Sequence, residues 1–405
     1  MADRRLRTVV ALGTAQTLAW ASSYYLPAML AAPMARDLGV SVPTVFAAFS
    51  VALVVSALLG PYAGRRIDQW GGRPVLAGTS AVFAVGLGML AAARGAVGLF
   101  AAWIVLGIGM GSGLYEAAFA TLVRLYGRGS RQTITAITLI AGFASTIGWP
   151  LSTLLEAQFG WRGACLVWCA LHLLVGLPLN ALLPKASKHG PPAENEAVGQ
   201  NPTVRSEPRH AGRVAMLLAF VFASTWFIST SMAAHLPRVL QACGASLAAA
   251  VAAASLVGPA QVGARLLEYG LLRRLHPLLS ARLAALMHPL GAVVLALAGA
   301  PVAAAFAILH GAGNGILTIA KGTLPLVLFG PSGYGERQGL LMVPARVAQA
   351  VAPWVFGLCL DHWGTGALWL SGFVSLAAFG ALLFLPAATG VSDATTRRGT
   401  ASISS

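Results

Sequence analysis

Apolar runs of about twenty residues recur roughly twelve times along this chain, each closed by a short connection bearing Arg, Gly or Pro. A helix needs roughly 20 apolar residues to cross a hydrocarbon core about 30 Å thick. Spans are expected near 8–33, 44–63, 75–93, 97–122, 133–155, 163–183, 213–237, 247–264, 280–299, 302–328, 338–360 and 365–386. The expected fold class is all-α integral membrane, with twelve transmembrane helices. Composition agrees: 57% of residues are hydrophobic, 10% are charged, and there are 46 glycines.

A net charge of +15 would suit a nucleic-acid binder if the bases clustered on one face, but here they alternate by loop. Arg4, Arg5, Arg7, Arg65, Arg66, Arg73, Arg124, Arg128, Arg131, Arg265, Arg273, Arg274, Arg282, Arg337, Arg397 and Arg398 fall on one side, as do Lys185, Lys188, Arg205, Arg209 and Arg213. Arg36, Arg94, Arg162 and Arg238 fall on the other. By the positive-inside rule both termini are expected in the cytoplasm, and no nucleic-acid partner is expected. The N-terminal stretch MADRRLRTVVALGTAQTLAWA mimics a cleaved signal peptide, yet apolar sequence continues through Ala32, so it reads as an uncleaved first helix. Cys165, Cys169, Cys243 and Cys359 lack metal-ligand or paired-loop spacing and read as packing residues, so no metal is expected.

Between Leu183 and Val214 the sequence turns polar and Pro-bearing, which divides six spans from six. The expected organisation is a six-helix bundle at 1–184, a cytoplasmic linker at 185–212, a second bundle at 213–386 and a disordered tail at 387–405. The halves echo one another: LVRLYG at 122–127 answers PLVLFG at 325–330, Arg131-Gln132 answers Arg337-Gln338, Gly60-Pro61 answers Gly258-Pro259, and Pro150 answers Pro353. Paired pseudo-symmetric halves with a site between them are the architecture of many secondary transporters.

The loop after the second span reads GRRIDQWGGRP, residues 64–74. Asp68 stands at a helix end, where it can accept bonds from a neighbouring helix N-terminus, and Gly71-Gly72 makes a tight turn before Arg73. This stretch resembles the signature of the major facilitator superfamily, Gly-x-x-x-Asp-x-x-Gly-x-Arg, with matches at Gly64, Asp68, Gly71 and Arg73; Gln69 and Gly72 depart from its usual basic residues. With the span count and linker, the resemblance covers almost the whole chain. It implies that Asp68 helps hold a cytoplasmic gate shut, with Arg124 as a partner. Gly263, Arg265, Glu268 and Gly270 keep part of this chemistry in the second half without its spacing. GFASTIGWPLSTLL at 142–155 only partly resembles the antiporter motif of the same family, because Trp149 separates Gly148 from Pro150 and Ser152-Thr153 replaces glycines.

Three charges lie deep in apolar runs: Glu116, Lys321 and Arg346. Each would cost about 2.5–3.5 kcal/mol at a helix centre on insertion scales, so each needs a partner or a wet cavity. Glu116 shares the small-residue face of Gly109, Gly113 and Ala120, so it points toward protein. Lys321 shares a stripe with His310, Asn314 and Thr318, and Arg346 one with Gln349 and Pro353. Gln16, Trp20, Ser23 and Pro27 align in the first span, and Ser224, Ser231 and His235 in the seventh. The resemblance implies that spans 1, 4, 7 and 10 line one chamber.

The expected substrate site is Lys321, Arg346, Asn314, Thr318, Trp20, Ser23 and Tyr115, with Glu116 and His310 in proton coupling and Gly64, Asp68, Gly71, Arg73 and Arg124 in gating. His172 and His288 read as packing residues. GIGMGSG at 107–113 suits close helix packing rather than nucleotide binding, and no Walker loop, His-Glu-x-x-His or Gly-x-Ser-x-Gly appears. The expected protein is a monomeric transporter, not an enzyme, of the bacterial inner membrane, with no cofactor. It moves a small organic anion by alternating access, coupled to a proton or to a counter-anion. The alternative is a drug or toxic-compound exporter of the same fold, which predicts a bulky aromatic pocket and tolerance of cations.

Overall fold

The computed structural model describes residues 2–186, 208–271 and 275–386, and among them there are helices and no strand. The helices before the longer undescribed stretch are α1 (Ala2–Ser22), α2 (Leu26–Leu38), α3 (Val42–Trp70), α4 (Gly72–Ala92), α5 (Gly95–Gly113), α6 (Tyr115–Tyr126), α7 (Arg131–Ala141), α8 (Ala144–Leu171) and α9 (Leu177–Ala181). Those after it are α10 (Pro208–Ala242), α11 (Leu247–Ser255), α12 (Val257–Gly270), α13 (Pro277–Ala298), α14 (Ala303–Phe329), α15 (Tyr334–Trp363) and α16 (Ala367–Leu383). The expected linker and tail fall largely outside the described residues.

Among the described residues, eight helical stretches are long and apolar enough to cross a membrane. One of them, Gly95–Ala181, has 87 residues, which as one straight helix would be roughly 130 Å long. It divides at the 3-10 turn Gly127–Ser130 and at Gly160, whose φ of 68° breaks α8. Tyr334–Leu383 divides likewise at Gly364, where φ is 53°. Positive φ excludes most side chains at low cost, so glycine punctuates these reversals. The arrangement is consistent with twelve crossings. Several helices outrun their apolar runs: α3 continues through the basic residues to Trp70, and α15 begins at Tyr334.

Four expected spans are discontinuous. The first breaks at Ser23–Tyr25 between α1 and α2, the fourth at Leu114 between α5 and α6, the fifth at Gly142-Phe143, and the eighth at Leu256. A break frees backbone groups that must find other partners in a bilayer. At the fourth span the Gly113 carbonyl accepts the Gln16 side-chain amide at 2.6 Å.

Glycine sets how closely the helices approach. A Cβ on Gly107 would meet the Ala52 carbonyl oxygen at 2.6 Å, and one on Gly111 the Ser56 carbonyl oxygen at 2.8 Å, so α5 lies directly on the α3 backbone. The same packing recurs 204 residues later: an added Cβ on Gly311 would meet the Val257 carbonyl oxygen, and one on Gly315 the Gln261 carbonyl oxygen, each at 2.6 Å, setting α14 on α12. GIGMGSG and GAGNG are thus equivalent close-packing stripes of a repeated unit.

Gly107→Ala and Gly311→Ala should each destabilise the fold by about 1–3 kcal/mol, the usual range for overpacking. Gly88→Ala, whose added Cβ meets nothing within 4 Å, should not. Thermal unfolding of the purified variants checks this; equal midpoints for all three would contradict the packing account.

Candidate functional site: charges and indoles between the two helix sets

The break at Leu114 explains the position of Glu116. It starts α6 at Tyr115 and places the glutamate in the first turn, where the positive end of the helix favours a carboxylate. Glu116 Oε2 accepts from Arg346 Nη2 of α15 at 2.9 Å, with the Arg346 side chain 3% exposed and that of Glu116 15%. Arg346 Nη1 donates to Gln349 Oε1 at 2.9 Å. Glu116 thus makes its ion pair with Arg346, joining α6 of the first helix set to α15 of the second.

Lys321 projects from α14 and is buried. Its ammonium nitrogen lies 4.1 Å from the centroid of the Trp226 ring on α10, and the Arg346 guanidinium carbon lies 5.4 Å from the same ring. Among the described residues the Lys321 ammonium makes no ion pair or hydrogen bond; its contact is this cation–π one. Its backbone is held by the Gln338 amide, which donates to the Lys321 carbonyl at 3.0 Å, and next to it the Tyr334 hydroxyl donates to the Gly322 carbonyl at 2.7 Å.

Around these charges are rings from both helix sets. Trp20 lies 4.8 Å from Tyr115, 5.3 Å from Tyr24 and 6.2 Å from Trp226, the two indoles being within 7° of parallel. Trp20 Nε1, Trp226 Nε1 and Gln349 Nε2 are buried without a hydrogen-bond partner. All three are donors, as is the Lys321 ammonium, and they outnumber the buried acceptors without a partner nearby, Gln338 Oε1 and Gln16 Oε1.

Other expected residues are placed differently. Ser23 donates to its own helix at the Ala19 carbonyl, and Thr318 to the Asn314 carbonyl, at 2.5 and 2.8 Å. Asn314 and His310 line a small separate cavity among α10, α13, α14 and α16. His310 Nδ1 lies 3.0 Å from Nδ1 of His288 on α13, both side chains buried. His172 bonds the Ser22 hydroxyl at 2.7 Å and stacks on Phe83.

The residues expected in gating sit at the end of the bundle where α3 finishes and α15 begins. Asp68 caps α15: its two oxygens accept the amides of Gly335 and Glu336, each at 2.9 Å. Arg65 adds an ion pair to Glu336 at 2.5 Å. The approach needs bare backbone, because a Cβ on Gly64 would lie 1.9 Å from the Gly335 carbonyl oxygen. Gly71, with φ of 82°, turns the chain into α4, where Arg73 follows. Arg124 occupies the last turn of α6.

A second clasp pairs α7 with α12. Arg131 donates to Glu268 at 3.0 Å and to the Leu275 carbonyl at 3.0 Å, and Arg265 donates to the Thr138 carbonyl at 2.9 Å. Glu268 in the degraded motif thus still reaches the opposite helix set, through a guanidinium where Asp68 uses backbone amides. At the other end the ion pairs join helices of the same set, Arg162 with Asp37 at 2.8 Å and Arg238 with Asp361 at 2.6 Å.

Sequence reasoning missed Trp226. The aligned residues Ser224, Ser231 and His235 lie on the same helix, but Trp226 falls outside their spacing. It also missed the pairing of His288 with His310, since no polar stripe on α13 marks it.

Residues 12–324 match the sequence model of the Major Facilitator Superfamily. The chain is 29% identical over 362 residues to human Monocarboxylate transporter 11, covering 84% of this chain and 74% of that protein. It is 32% identical over 151 residues to the mouse protein of the same name, covering 35% of this chain and 32% of that one. Among solved structures it superposes on the human organic anion transporter MFSD10 (TETRAN) with a TM-score of 0.69 at 18% identity, over 94% of this chain and all of the other. It superposes on the proton:xylose symporter XylE bound to 6-bromo-6-deoxy-D-glucose with a TM-score of 0.73 at 14% identity, over 95% and 96%.

Removing one member of a buried ion pair typically costs about 3–5 kcal/mol, because the other charge is left uncompensated. Glu116→Gln and Arg346→Gln should each lower the thermal midpoint, and the double variant should recover much of the loss. Additive losses in the double variant would contradict the pairing.

Proposed function

The chain belongs to the Major Facilitator Superfamily and is a membrane transporter, and from that premise we propose that it moves a small organic monoanion by alternating access. The observation that carries this reading is the buried Lys321 ammonium with no ion pair or hydrogen bond among the described residues, beside unpartnered indole and amide donors. Lys321 and Arg346 contribute two positive charges and Glu116 one negative, so these three side chains together carry one net positive charge. A single carboxylate balances that charge and supplies the missing acceptors; a cation would meet repulsion in a poorly screened interior. Human Monocarboxylate transporter 11 and the organic anion transporter MFSD10 bear names that agree with this chemistry.

In this account the two clasps formed by Asp68 and by Arg131 with Glu268 hold the cytoplasmic side shut, and the basic loops set both termini in the cytoplasm of a bacterial inner membrane. The ion pairs at the outer end stay within one helix set, which leaves the sets free to part there. The two sets act as the rocking bundles, 1–184 and 213–386, joined by 185–212 and followed by a tail at 387–405. One chain suffices, since the site lies between its own two helix sets. Glu116 links the site to a proton or a counter-anion through its pairing with Arg346.

Purified protein in liposomes tests the reading with a panel of monocarboxylates and cationic dyes, with and without a pH gradient. Wild-type protein should take up a monocarboxylate, and Lys321→Ala should lose at least about tenfold of that uptake, the scale of one ionic contact, while its thermal midpoint holds. Unchanged uptake in the variant, or dye flux without anion flux, would overturn it.

A further inference from the structure

The rings around Lys321 point to the chemistry of the cargo's other end. Trp20, Tyr24 and Tyr115 come from the first helix set and Trp226 from the second, so the cluster straddles the surface along which the sets must separate. An interior that only needed filling could use aliphatic side chains there, and would not bury two indole N–H groups without acceptors. Trp20 and Trp226 are nearly parallel, come one from each helix set, and have the Lys321 ammonium beside one of them. Parallel indole faces next to a fixed positive charge match a flat π-system bearing one carboxylate. Aromatic rings favour offset-stacked and edge-to-face partners, and an indole N–H is a donor at the ring edge. The bulky aromatic surround that the exporter alternative anticipates is thus present, but around a net positive charge.

We propose that the bound anion is an aromatic monocarboxylate, its ring against Trp20 and Trp226 and its carboxylate accepting from Lys321 and an indole N–H. The proposal rests on the reading of Lys321 as the anion site and adds the nature of the group the anion carries.

The test compares equilibrium binding of benzoate, cyclohexanecarboxylate and benzyl alcohol to the full-length protein in lipid nanodiscs. These probes separate aromaticity from size and charge. Aromatic pairing beyond area burial corresponds to roughly 2- to 10-fold in affinity, so benzoate should bind tighter than cyclohexanecarboxylate by about that factor. Trp226→Leu should abolish the difference, whereas Trp226→Phe, which keeps a stacking face, should retain it. Equal affinity for the two acids in the wild-type protein would overturn the aromatic assignment and leave the anion reading standing. Benzyl alcohol binding as tightly as benzoate, or neither acid binding, would overturn both.

Discussion

Two positive charges and one negative charge sit where the two helix sets meet, and the remaining organisation follows from how they are compensated. Glu116 is held by Arg346 and by the first turn of α6, and among the described residues the Lys321 ammonium makes no ion pair or hydrogen bond and lies against the Trp226 ring. A buried ammonium is tolerated when its alternatives cost more or when a partner arrives during function. The broken fourth span belongs to the same arrangement. Without the interruption at Leu114, Glu116 would lie mid-helix, lose the stabilising helix end and present at another angle to Arg346.

The contacts that close the basic end are made of backbone as much as side chain. Asp68 accepts two amides of α15, and Gly64 and Gly335 touch with nothing between them. Such a clasp is strong when aligned and vanishes over a small displacement, because charge-assisted bonds weaken steeply with distance and angle. The companion clasp between Arg131 and Glu268 uses a longer, more adaptable side chain. One half of the repeat therefore keeps a rigid latch and the other a forgiving one. Both join the first helix set to the second at the same end of the bundle.

Much of this was legible in the sequence. Apolar run length gave the helices, arginine distribution gave the sidedness expected for the loops, GRRIDQWGGRP marked the Asp68 clasp, and GIGMGSG marked a close-packed face. Glu116, Lys321 and Arg346 stood out because each interrupts apolar sequence. Their pairing did not, since α6 and α15 meet only through tertiary packing and no local pattern selects Arg346 over Lys321 for the carboxylate. The break at Leu114 was equally hidden: the run around it is apolar and contains no proline. His288 reads as packing on its own helix, and its partner His310 belongs to another.

The central claim is that Lys321, Arg346 and Glu116 together carry one net positive charge and take one negative charge. Equilibrium binding of a monocarboxylate, its primary amide and the dicarboxylate of the same carbon skeleton to the wild-type protein tests this most directly. The account predicts that the monocarboxylate binds at least about tenfold tighter than either of the others, since the amide lacks the charge and the dianion brings one too many into a poorly screened site. A dicarboxylate that binds as tightly as the monocarboxylate, or an amide that does so, would contradict it.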